Sequence, residues 1–162
     1  MFPGMKLIDI LTESSIVADL QAKTKAEALD VLVDAMTKTH KMLNKSDILQ
    51  VLLEREKLGS TGIGDGVAIP HGKCRAVKGS VMAIGIAKNP IDFGSLDGKP
   101  VSIVVLLISA LDQTVPHIQA LAGISRLMLN ETLRSNLCKI NAAEEACELL
   151  RKYLKSESIS EN

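Results

Sequence analysis

Three side chains carry the chemistry open to this chain: His71, His117 and Arg55. An imidazole with its ordinary pKa of about 6.5 offers a ring lone pair as a nucleophile near neutral pH. His71 ends the run Ser60 to Gly72, STGIGDGVAIPHG, which is crowded with glycine. Glycines let backbone N–H groups approach a small anion and adopt positive φ without strain. The run therefore predicts a phosphate-sized cradle beside a nucleophilic ring, with Thr61, Gly62, Gly64 and Gly72 as its phosphate contacts. Pro70 fixes its own φ and biases Ile69 to extended backbone, so His71 sits on a stiff mount.

Arg55 follows Ile48 by seven residues and Leu52 by three, so it is expected to continue a buried helical face. Its planar fork suits phosphate oxygens; the alternative is a solvated arginine paired with Glu54 or Glu56. Pro116 is expected at the first position of a helix, which places His117 in the first turn, where the dipole favours an anion. The alternative there is a satisfied histidine heading an apolar stripe. The glycines do not form a nucleotide fingerprint, because they follow a helix and precede a strand. His71 and His117 with Asp65 or Asp112 would be a metal set, but no paired-histidine spacing supports one, and no metal is expected.

The elements that position these residues are legible in outline. Ile16 to Leu20 reads as a short strand or extended entry. Thr24 caps a helix whose buried face is Leu29, Leu32, Val33 and Met36. Asn44 or Ser46 caps a second, with Ile48, Leu49, Leu52 and Leu53, and Gly59 suits the left-handed position after it. Val67 to Ile69 is a strand, Ser80 to Ala87 alternates, and Asp97-Gly98 is a turn. Val101 to Ile108 is nearly continuous apolar and β-branched, as a strand covered on both faces requires. Asn130 and Asn141 look like caps of two further helices, and Ser156 to Asn162 reads as polar and frayed. The expected fold is α/β: a single layered domain over residues 1–154, with a mixed β-sheet flanked by helices on both faces, then a polar tail over 155–162.

With 162 residues, the chain is long enough for one core. Net charge is zero, which argues against nucleic acid as a partner. The longest apolar run is too short to cross a bilayer, and Met1 to Lys6 has no signal-peptide core. Cys74, Cys138 and Cys147 are odd in number and lack metal-ligand spacing, so free thiols and a cytoplasmic location are expected. Phe2, Phe93 and Tyr153 are the whole aromatic complement, too few for the platforms a free sugar usually wants.

Gly59 to Gly72 resembles the active-site signature of enzyme IIA domains of the bacterial phosphotransferase system, fructose/mannitol type, a class that includes the nitrogen-regulatory enzyme IIA. Ile91-Asp92-Phe93, Asp97-Gly98 with Pro100-Val101, and Pro116-His117 through Leu121-Ala122 resemble family segments in the same order. The similarity spans about Met5 to Leu154. It implies that His71 accepts a phosphoryl group from the phosphocarrier HPr or a paralogue. It further implies delivery to a cysteine of an enzyme IIB or use as a regulatory signal, with Arg55 and His117 as phosphate stabilisers. No cofactor is then needed, because the donor is itself a phosphohistidine. Since that donor must reach His71, a shallow apolar docking rim is expected around it. Two departures stand out: Ser109 to Gln113 matches the family loosely, and Asp65, where the family often has Asn, would set a negative charge near a phosphate. The rival readings are a binding-only regulator that senses an anion and a metal-dependent hydrolase.

Overall fold

The computed structural model describes residues 6–160, with side chains through 156. Apart from Lys6, the Met1 to Lys6 segment lies outside the described residues. A short helix α1 (Leu7–Ile10) and a 3-10 turn (Glu13–Ser15) lead into β1 (Ile16–Val17), α2 (Lys25–Thr39) and α3 (Lys45–Lys57). Next come β2 (Gly62–Gly64), β3 (Val67–Ala68), β4 (His71–Lys73), β5 (Ser80–Ile91) and β6 (Val101–Ser109). The chain finishes with α4 (Thr114–Leu127), α5 (Glu131–Lys139) and α6 (Ala143–Ser160).

Local chemistry starts most of these helices where expected. The Thr24 hydroxyl accepts from the Glu27 N–H at 3.2 Å, while the Glu27 carboxylate reaches back to the Lys23 N–H at 2.8 Å. The Asn44 side chain, not Ser46, caps α3 by accepting from the Asp47 N–H, and Asn130 caps α5 by accepting from Leu133. Two starts differ from expectation. The α6 backbone begins at Ala143, with the Ala142 carbonyl accepting the Ala146 N–H, one residue past the expected Asn141 cap. Helix α4 opens at Thr114, so Pro116 is its third residue rather than its first. Its missing N–H is harmless there too, because the first four donors of a helix have no internal partner. At the other end, α6 remains helical through Ser160, beyond the expected start of the tail.

The sheet runs β1-β5-β6-β3-β2, and β4 also pairs with β6. Strands β5 and β6 are antiparallel, while β1 on β5, and β3 and β4 on β6, are parallel, so the sheet is mixed. Strands β3 and β4 share one register: Val67 lies opposite Ile103 and His71 opposite Leu107, a constant offset of 36 along β6. They form one strand interrupted at Ile69-Pro70, because Pro70 has no N–H to donate to the ladder. The Pro70 carbonyl still accepts from Leu107 at 3.0 Å.

Helices cover both faces. Ile69, Met82, Ile84, Val105 and Leu107 pack against α4, α5 and α6. Val81, Ala83, Val104, Leu106 and Ile108 face the other way, onto α2 and α3. Leu29, Leu32, Val33 and Met36 are fully buried, as their spacing predicts. This double cover explains the unbroken apolar run of β6.

Candidate functional site

His71 opens β4 at the end of the interrupted strand, half-buried. By strand alternation His71, Lys73, Leu107, Ser109 and Ser80 share the face toward α4. The second turn of α4 brings His117 to the same place. The two rings lie 5.8 Å apart between centroids, tilted by 49°. Residues 46 positions apart in sequence thus form a pair of imidazoles at one end of the sheet.

Each ring has one nitrogen committed. His71 Nδ1 is 2.8 Å from the Ile69 carbonyl. A carbonyl only accepts, so Nδ1 carries the proton and Nε2 of the neutral ring holds the lone pair. His117 Nδ1 is 2.7 Å from Ser109 Oγ, which is in turn 2.7 Å from Ser80 Oγ. Burial holds the His117 pKa below the usual imidazole value, and the nearby His71 and Lys73 push the same way. Lys73 stands two residues along from His71 and donates to the Thr114 hydroxyl at 2.7 Å, at the head of α4. His117 is not in the helix's set of free donors: its own N–H bonds the Gln113 carbonyl at 2.9 Å.

Arg55 approaches from the other side. It lies on α3, which packs on the opposite face of the sheet, and its guanidinium donates to the Gly59 carbonyl at 2.9 Å. Gly62 pairs with Ala68, and the Thr61 carbonyl accepts from Ile69. Helix α3 packs on β4, with Val51 against Gly72, so Arg55 sits one turn further along the helix that adjoins the strand carrying His71. The expected buried face of α3 needs a correction: Glu56, 9 % exposed, follows Ile48 and Leu52 inward, and Arg55 is half-buried beside it. The spacing 48-52-56 is a straight i, i+4 line and is the signal that would have found Glu56.

The glycine run does not form the expected cradle. The Glu56 carboxylate accepts from the Thr61 N–H and hydroxyl and from Lys25 Nζ. Thr61 is thereby turned inward and has no free donor. The Gly62 N–H is taken by Ser60 Oγ at 3.0 Å. Gly62 to Gly64 form β2, and Asp65 and Gly66, at φ 56° and 77°, make the tight turn of a hairpin. An Asp-Gly pair between apolar residues is itself a hairpin signal. That turn lies at the end of β3 away from His71, level with Ile103 where His71 is level with Leu107, roughly 13 Å along the strand. Gly64 therefore cannot hold a phosphate on His71, and the Asp65 charge stands well away from it. Gly72 has a different use: a Cβ there would come within 2.4 Å of Val51 Cγ1, so its bare backbone lets α3 lie close on β4. Sequence reasoning missed Glu56, Lys73, Ser80 and Ser109; only the first two carry local signals, the last two meeting across 29 residues.

Fold and site together define a one-domain α/β protein with a paired-imidazole site at a sheet end. The family model described as "Phosphoenolpyruvate-dependent sugar phosphotransferase system, EIIA 2" matches residues 9–153, and the chain belongs to that family. It is 35% identical over 133 residues to a nitrogen regulatory protein of Bradyrhizobium diazoefficiens, covering 82% of this chain and 86% of that protein. It is 30% identical over 149 residues to the fructose-specific EIIABC component of Bacillus subtilis. That match covers 92% of this chain but only 24% of the longer relative's length. Among solved structures, the nitrogen regulatory protein IIA-Ntr from Neisseria meningitidis superposes with a TM-score of 0.82 at 33% identity, covering 89% of this chain and 98% of that one. The IIA mannitol domain of Escherichia coli shares the fold, with a TM-score of 0.74 at 22% identity, covering 86% and 98%. The fold class and family expected from the residues are thus both met, and relatives named as phosphotransferase-system components and as nitrogen regulatory proteins both match this chain. Among the described residues no helix is long and apolar enough to cross a membrane.

Proposed function

We propose that this chain is a phosphohistidine carrier that accepts a phosphoryl group from an HPr-like phosphocarrier on Nε2 of His71. The observation that carries the reading is the bond from His71 Nδ1 to the Ile69 carbonyl, which leaves Nε2 as the nucleophile. The Nε2 lone pair attacks the phosphorus of the donor's phosphohistidine. One P–N bond forms as the other breaks, and the donor imidazole departs with the electron pair. The proton on His71 Nδ1 stays in place, and the Ile69 carbonyl stabilises the positive charge that builds on the ring.

Phosphoryl transfer leaves charge on three equatorial oxygens and needs positioned donors more than covalent chemistry. In this reading His117 across the gap, Arg55 from α3 and the Lys73 ammonium give them. Leu111, Val115 and Ile118 are exposed around the head of α4 and supply the apolar rim on which a donor or acceptor protein would dock. From His71 the phosphoryl group passes to a cysteine of an enzyme IIB, or its presence changes which protein the chain binds. The phosphotransferase family and relatives of both kinds support this reading.

The test is incubation with labelled phospho-HPr. Wild type should gain an acid-labile label, and His71→Ala should gain none. No label on wild type, or an undiminished label on His71→Ala, would sink the reading.

A further inference from the structure

We propose that Ser109, backed by Ser80, fixes the tautomer of His117 so that its Nε2 carries the proton and presents a donor toward His71. Ser109 is the last residue of β6 and is fully buried. From Ile103 to Ile108 the strand before it is wholly apolar. A hydroxyl at such a position is costly unless its hydrogen bonds are made. Here both are made, at 2.7 Å to His117 Nδ1 and 2.7 Å to Ser80 Oγ, because Ser80 lies directly opposite Ser109 in the antiparallel register.

A serine hydroxyl has one proton and two lone pairs; were Ser109 to accept from both neighbours, its own buried proton would be left without either partner, a costly arrangement, so two orders of the chain compete. In one, Ser80 donates to Ser109, Ser109 donates to His117 Nδ1, and His117 holds its proton on Nε2. In the other the whole chain reverses, and His117 Nε2 is a bare lone pair. His71 Nδ1 is committed to the Ile69 carbonyl and His117 Nδ1 to Ser109, so Nε2 is the nitrogen each ring has left, with the ring centroids 5.8 Å apart. The reversed order would set two lone pairs toward one another and toward any anion placed there. The forward order sets one donor against one acceptor, which suits both the empty site and a phosphoryl oxygen. Burial and the neighbouring His71 and Lys73 keep the His117 ring singly protonated, so it has a tautomer to fix. Ser109 and Ser80 are thus positioning residues that act through His117.

The consequence for transfer rests on the reading of His71 as the phosphoryl acceptor; the tautomer is a property of the free chain. Nitrogen NMR of the full chain, labelled at histidine and kept in mildly alkaline buffer without phosphoryl donor, reads it directly. Wild type should show His117 protonated on Nε2 and His71 protonated on Nδ1. Ser109→Ala should shift His117 toward the other tautomer while His71 keeps its pattern, which also reports an intact site. Ser80→Ala, at a half-exposed position, should shift it less. With labelled phospho-HPr, Ser109→Ala should slow transfer about tenfold, the scale of one hydrogen bond, with half-saturation by the donor unchanged. A wild-type His117 protonated on Nδ1, or a Ser109→Ala spectrum and rate equal to wild type, would overturn the proposal. Since the spectrum needs no phosphoryl group, failure of the tautomer assignment and failure of the carrier reading appear in different measurements.

Discussion

At the scale of single residues, the site rests on which nitrogen holds a proton. His71 is settled by a carbonyl two residues back, a bond the strand geometry makes by itself. His117 is governed by burial, and its lowered pKa has a consequence for stability. The unfolded chain takes up a proton on this imidazole near pH 6.5, while the folded chain resists until lower pH. Folding is therefore weakened as pH falls below about 6.5, and the loss levels off once pH is below the depressed folded value. Urea unfolding across this range should show a stability that declines toward acid, and His117→Gln should flatten that decline. Arg55 offers a second check. Its fork can bond the Gly59 carbonyl and still face an anion, which a lysine's point charge does less well. Arg55→Ala should cut the rate of phosphoryl transfer on the order of a hundredfold, and Arg55→Lys should recover only part of it. An Arg55→Ala rate equal to wild type would remove this side chain from the site.

At the scale of elements, the glycine run is a hairpin plus a mount. The hairpin tip at Asp65-Gly66 answers to backbone geometry, and the mount at Pro70-His71-Gly72 answers to the site. The two parts respond differently to substitution. Gly66 has φ 77°, and a Cβ there would meet only ordinary contacts, 3.8 Å to the Pro100 carbonyl oxygen, so Gly66→Ala should cost about 1 kcal/mol in a thermal or urea melt. The same variant should take phosphoryl label on His71 at the wild-type rate, because its turn is at the far end of β3. A large loss of labelling with little loss of stability would restore the tip to the phosphate site. Glu56 joins the elements: its carboxylate gathers Lys25 from the start of α2 and Thr61 from the start of the hairpin. In this way the end of α3, and with it Arg55, is held against the strand that carries His71.

At the scale of the whole molecule, a sheet covered on both faces leaves its strand ends as the place where polar side chains can meet. Helix α4 crosses one such end and brings exposed Val115 and Ile118 to either side of buried His117. A docking protein would bury these side chains while the imidazoles stay where the core sets them. Ile118→Asp should raise half-saturation by phospho-HPr about tenfold, a change of about 1.4 kcal/mol, with the maximal rate within twofold of wild type. A rate loss at saturating donor would mean that Ile118 supports the site rather than the dock.

Much of this architecture was written locally in the chain. Thr24, Asn44 and Asn130 cap helices through bonds to residues three positions on, so short-range chemistry was enough to read them. The buried face of α2 and the apolar run of β6 follow from periodicity alone. So does the mount of His71, since Pro70 acts on its immediate neighbours. Near-misses arose where two local solutions cost about the same, as with Pro116, tolerated at the first or third helical position. What tertiary structure alone decided was which polar groups meet. The pairing of the two rings, the turn of Thr61 toward Glu56, and the meeting of Ser80, Ser109 and His117 all depend on strand register and helix placement. Register is set by the summed packing of both faces of the sheet, and no short stretch of sequence holds that sum.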